Sequence, residues 1–203
     1  MAKTNQVEFN VQNVKFAVKS AGVYGAPQDL AYAESISLES TYQSEHKYGD
    51  GRIIAELTSD KGLTGSLAII QEAIEYEIAM GRKEQLADGL IADVTQIDSI
   101  EHAIYFEVHQ LKDGVRKVKK VWLLNVTSGK PSETWNQSKD SVNINDLEIP
   151  LVILGELMMT NDGSEVYVDA SGNSKYVPKI SATPDYAGYV GFEDAVPVPK
   201  AAA

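Results

Sequence analysis

Apolar side chains recur at every second position through most of the chain, the spacing of strands that bury one face. In "NVKFAVK", Val14, Phe16 and Val18 share a face, with Lys15 and Ala17 on the other. "SAGVYGAPQD" follows as a loop, marked by two glycines and a proline. "ESISLESTY" sets Ile36 and Leu38 together on a second strand. "QSEHKYGDG", Gln43 to Gly51, reads as a polar loop or hairpin tip. Strands resume at Arg52–Thr58 and Gly62–Ile69, around a turn at Asp60–Gly62.

The period changes once. In "IIQEAIEYEIAMGRK", Ile70, Ile74 and Ile78 are spaced by four, with Ala73 beside them. This predicts one short amphipathic helix near 70–80, with that stripe packed on its own core. Gly81 stands where a left-handed C-cap belongs, and Arg82 and Lys83 follow at the negative end of the helix dipole. No Ser, Thr, Asp or Asn caps the front.

Strands then return. "EHAIYFEVHQL" sets His102, Ile104, Phe106 and Val108 on one face, and Ala103, Tyr105, Glu107 and His109 on the other. A turn at Lys112–Gly114 leads into "VRKVKKVWLLNVT", where Trp122, Leu124 and Val126 are expected on one face. "SGKPSE" is a loop, and Ser141–Met158 is the longest strand-like stretch. Pro150 lies inside it and marks an edge, a bulge or a break. The pattern therefore predicts a mainly β fold: predominantly antiparallel, of sandwich or barrel type, with a single short helix. Residues 1–159 form the β domain. Residues 160–203 form a loop-rich segment carrying Tyr167, Tyr176, Tyr186, Tyr189 and Phe192, either packed on the same domain or reaching out as an arm.

Composition narrows the functional classes. The formal charge of −11 and a pI near 4.7 make the chain repel nucleic acid and anionic membranes. The most basic stretch, Arg116, Lys117, Lys119 and Lys120, reads as a solvated strand face or an intersubunit salt-bridge patch. Without cysteine there are no disulfides, no thiolate catalysis and no cysteine-ligated metal. "MAKTNQVEFN" is not a signal peptide, and "IPLVILG" is far shorter than the ~20 apolar residues of a membrane helix. A soluble protein made in a reducing cytoplasm is expected.

The usual signatures of catalysis do not form. His102 and His109 are seven apart on one strand, so they point to opposite faces and cannot pair on a zinc ion. "TGSLA" is a strand with a glycine in it, and "GDGRII" lacks the third glycine and the βαβ context of a dinucleotide site. Acid pairs such as Asp93 with Asp98, or Asp146 with Glu148, arise readily among 29 acidic residues. "NDGSEVYVD" has the composition of a calcium loop without EF-hand spacing. The chain is expected to be no enzyme, with no catalytic, cofactor or metal residues. Its strands pose a different question. Ile53, Ile54, Leu57, Leu63, Leu67 and Ile69 crowd one hairpin, and unpaired strand edges are templates for another chain.

From Val11 to Met159 the order of segments resembles the major tail proteins, or tail-tube proteins, of long, non-contractile-tailed phages of Gram-positive bacteria. "VKFAVKSAGVYGAPQDL" leads into "AESISLES", then "KYGDGRIIAELTSDKGLTGSLAI" and the helix "IQEAIEYEIAMG". "HAIYFEVHQLKDGVRKVKKVWLLNV" and "KPSETWNQSKDSVNINDLEIPLVILG" follow. The resemblance implies a two-sheet sandwich with one helix and an extended loop near residues 43–51. It implies hexameric rings stacked into a hollow virion tail tube around a tape-measure protein, with tail terminator and distal tail proteins at the ends. DNA would pass through the lumen without specific binding, and an acidic wall would not hold it. Tyr48, Asp50 and Arg52 at the hairpin tip are the expected intersubunit contacts. The alternative is a non-catalytic β-sandwich binding module for carbohydrate or protein, with the aromatic tail as its contact surface. A hydrolase built on an Asp/Glu pair is the third reading.

Overall fold

The computed structural model describes residues 6–50, 52–95, 98–132 and 147–202. Thirteen strands and one α-helix follow in chain order. They are β1 (Gln6–Ser20), β2 (Val23–Tyr24), β3 (Gln28–Asp29), β4 (Ala33–Gly49), β5 (Arg52–Ile69) and α1 (Ile74–Ala79). Next come β6 (Lys83–Gln85), β7 (Ile91–Asp93), β8 (His102–Lys112), β9 (Val115–Ser128) and β10 (Leu147–Ile153). The last are β11 (Glu156–Leu157), β12 (Tyr176–Val177) and β13 (Lys179–Ala182), with a 3-10 turn at Ala187–Tyr189.

Nine strands hydrogen-bond into one antiparallel sheet, in the order β2-β1-β8-β9-β10-β5-β4, with β13 on β9 and β3 on β1. The sheet curls over itself until β1, next to one end, and β4, at the other, approach within 8 Å between Cα atoms. The expected mainly β sandwich with one short helix is thus observed, its two layers being halves of one curled sheet. Alternation explains the interior. Val14 and Phe16 of β1, Ile104 and Phe106 of β8, and Ile149, Leu151 and Ile153 of β10 meet Leu67 and Ile69 of β5 in the main core. Ile36 and Leu38 of β4 pack on its side, as their spacing predicts.

The opposite face of β8 and β9 carries a second cluster of Ala103, Tyr105, Trp122 and Leu124. Ile180, Phe192 and Val196, from residues 160–203, cover it. Trp122 Nε1 donates to Phe192 O at 2.7 Å, so the indole is both buried and satisfied.

Four local expectations need correction. Val126 leaves the face of Trp122 and Leu124 and joins the main core. Asn125 takes φ 51°, and the β8–β9 register shifts by one residue between His102 and Ile104, so a bulge swaps the faces. Asp60–Gly62 is no turn, because β5 runs unbroken through it. Asp60 Oδ1 accepts from Gly62 N–H at 2.9 Å, and Gly62 has φ 91°, but the local loop makes a bulge between Tyr42↔Asp60 and Ser40↔Leu63. Third, "SAGVYGAPQD" contains β2 and β3. Finally, Pro150 neither breaks nor edges β10. Its missing N–H falls beyond the end of the β9 ladder, which begins at Leu151, while Pro150 O accepts from Gly129 N–H at 3.0 Å. The start of the predicted long strand, residues 141–146, lies outside the described residues.

Candidate functional site

β4 and β5 form a hairpin much longer than the body beneath it. β10 pairs with β5 only from Leu63 to Ile69. Beyond the Gly62 bulge, β4 and β5 pair with each other alone among the described residues, from Tyr42↔Asp60 out to Gly49↔Arg52. The extended loop expected near residues 43–51 is instead mostly strand: β4 runs to Gly49, and with β5 it makes a two-stranded arm that turns at Asp50 with φ 49°. Tyr48, Asp50 and Arg52 all sit at its exposed tip. His46 and Tyr48 stack edge to face, with ring centroids 6.4 Å apart.

Among its polar residues the arm exposes large apolar side chains to water. Tyr42, Tyr48, Ile53 and Ile54 are 54–72% exposed. Ile53 and Ile54 sit at a register shift between Lys47↔Ala55 and Tyr48↔Ile53, and both side chains are exposed. A two-stranded hairpin is marginal in water unless something packs on it. The sequence named the tip and the isoleucines. It did not show that the lower core ends at Gly62, which is what leaves them bare. The side chain of Leu57 lies outside the described set.

At the other end of β5 the helix departs from its prediction. Ile70, Ile74 and Ile78 are 38–47% exposed, whereas Ala73, Tyr76, Glu77 and Met80 face the core. The reason is a buried polar cluster that anchors the opposite side. Arg82 grips Glu77 with two parallel bonds, Nε to Oε2 at 2.7 Å and Nη2 to Oε1 at 2.8 Å. Burial pulls the Arg82 pKa down, but the hydrogen bonds and charge of Glu77 outweigh it and raise it. Arg82 Nη1 also donates to Ser128 O and Oγ, both at 3.0 Å. Tyr76 Oη lies 2.7 Å from Ser128 Oγ and 2.9 Å from His102 Nε2. His102 Nδ1 donates to Ile100 O at 3.1 Å, which leaves Nε2 facing Tyr76 Oη. Arg82 thus serves this cluster and not the helix dipole. The expected C-cap does form: Gly81 has φ 69°, Arg82 N–H reaches Glu77 O and Gly81 N–H reaches Ile78 O, both at 2.9 Å.

The three lysines of the basic stretch are neutralised within the chain. Lys117 binds Asp185 at 2.6 Å, Lys119 binds Glu8 at 2.9 Å, and Lys120 pairs with Glu193 and lies over the Tyr189 ring. Of the acid pairs, Asp93 is held by Lys83 and Lys130 and Asp146 lies outside the described residues. Asp162 caps its own loop, accepting from Thr160 Oγ1 at 2.6 Å and from Ser164 Oγ at 2.8 Å. Those bonds lower its carboxyl pKa to about 2. Among the described residues no three His, Asp or Glu side chains gather in a metal-binding group. Among them, too, no helix is long and apolar enough to cross a membrane. At the seam of the curled sheet, Val11, Gln12, Asn13, Leu30, Tyr32 and Gln71 line an open cleft of about 490 Å³. Compared with known proteins, the chain matches no family model and no curated protein.

Proposed function

We propose that this chain is a structural self-assembling protein, a tail-tube subunit whose stacked hexameric rings enclose a channel for DNA in a phage virion. The observation that carries the reading is the arm: a long hairpin with exposed Tyr42, Tyr48, Ile53 and Ile54 and no partner within the described chain. Among the described residues nothing pairs with the outer edge of β4 in the same stretch, and such an edge extends by pairing with another chain. The net charge of −11 suits a wall past which a polyanion slides. Tape-measure, terminator and distal tail proteins are the partners this role requires, and no chemistry is asked of the subunit.

Sedimentation velocity over a concentration series tests the reading. The wild-type chain is expected to shift from single copies to large particles, and Tyr48→Ser with Ile54→Ser to remain a single copy at the same concentrations. The seam cleft is the observation favouring a binding module, and that reading predicts one copy at all concentrations and a Tm raised by ligand.

A further inference from the structure

We infer that the exposed face of α1 and the adjoining β6–β7 hairpin is the seat for the β4–β5 arm of a second copy of this chain. The inference rests on the self-assembly reading above and names the surface that assembly uses. Ile74 and Ile78, one helical turn apart, stand side by side on the outer face of α1. Ile70 precedes them, and Leu86, Leu90 and Ile91 of the β6–β7 hairpin are 39–61% exposed. Lys83 binds Glu72 at 2.6 Å and Asp93 at 2.8 Å, tying the helix approach and the hairpin into one surface. The Glu77–Arg82 grip forces this outcome, because it commits the opposite side of a six-residue helix to the core.

Charge and reach select the occupant. Glu75, Glu84 and Asp88 are exposed around this face and make no ion pair among the described residues. The arm tip presents Lys47 and Arg52 beside Tyr48, Ile53 and Ile54, likewise without ion pairs among the described residues. An apolar stripe with acidic flanks thus meets a strand pair whose tip carries two basic side chains, Lys47 and Arg52, against one acid, Asp50. The two surfaces lie at opposite ends of β5. Seventeen residue steps from Arg52 to Ile69 correspond to about 55 Å of strand, so an arm does not reach its own helix. The contact is head to tail between copies, a heterologous interface that repeats in a ring or a stack.

A chain without cysteine gives a direct test. Ile54→Cys and Ile78→Cys proteins, mixed under assembly conditions and oxidised, are expected to yield a disulfide-linked species of twice the chain mass. Neither protein alone is expected to yield it in comparable amount. Both positions are exposed, so folding is preserved. Ile74→Ser with Ile78→Ser is expected to keep the wild-type Tm and to raise the assembly concentration at least ~tenfold. Large particles without cross-links for every pairing of positions 53 and 54 with 74, 78 and 90 would overturn the docking and leave self-assembly standing. Single copies at every concentration would overturn both.

Discussion

Glu77 and Arg82 are 2% and 3% exposed, and each is the other's main partner. Taking one away leaves a buried charge alone. Arg82→Ala is expected to lower stability by about 3–5 kcal/mol in urea unfolding, far beyond an exposed pair such as Lys130–Asp93. His102 makes the same region sensitive to acid. Burial lowers its pKa to about 4, against 6.5 for a free imidazole. The unfolded chain therefore takes up the proton first as pH falls. Stability is full above about pH 6.5 and is lost progressively down to about pH 4, by up to ~3 kcal/mol. The lowered carboxylates Glu8, Glu193 and Asp185, held down chiefly by hydrogen bonds from Lys119, Lys120 and Lys117, respond to acid only below the ordinary carboxylate range. His102→Gln is expected to flatten the denaturation midpoint between pH 6.5 and 5, while the wild type declines across it.

Elements show where sequence reading reaches and where it stops. Strands such as β1 and β8 were legible because one face of each meets a core, so the period of two survives in the residues. The face of α1 was not legible. Six residues are under two turns, too few for a stripe to declare itself, and the ion pair that fixes the buried side joins charged residues that read as solvent-facing. The Val126 switch hides in one left-handed asparagine. The cover over Trp122 and Leu124 had a signal, since large apolar residues on both faces of β9 require something on each side. At the hairpin, the residues of a turn build a bulge instead. A Cβ at Gly62 would lie 2.3 Å from Ile153 O, and φ 91° is strained for any other residue. Gly62→Val is expected to cost about 2–4 kcal/mol in urea unfolding and to weaken assembly, because it displaces the root of the arm. Tyr48, Asp50 and Arg52 were placed at a hairpin tip from sequence alone, and the structure finds them there.

At the scale of the whole molecule, the curled sheet with its two covered faces forms the stable body. Beyond it, large apolar side chains are exposed at two opposite ends, without partners among the described residues: on the arm at one, on the outer face of α1 at the other. Two such surfaces on one molecule favour chains of copies over closed pairs. Electron micrographs of the purified protein across a concentration series test this most directly. Rings or hollow tubes with a central channel, absent in Tyr48→Ser with Ile54→Ser, are the predicted result. Single copies or twofold dimers at every concentration would contradict it.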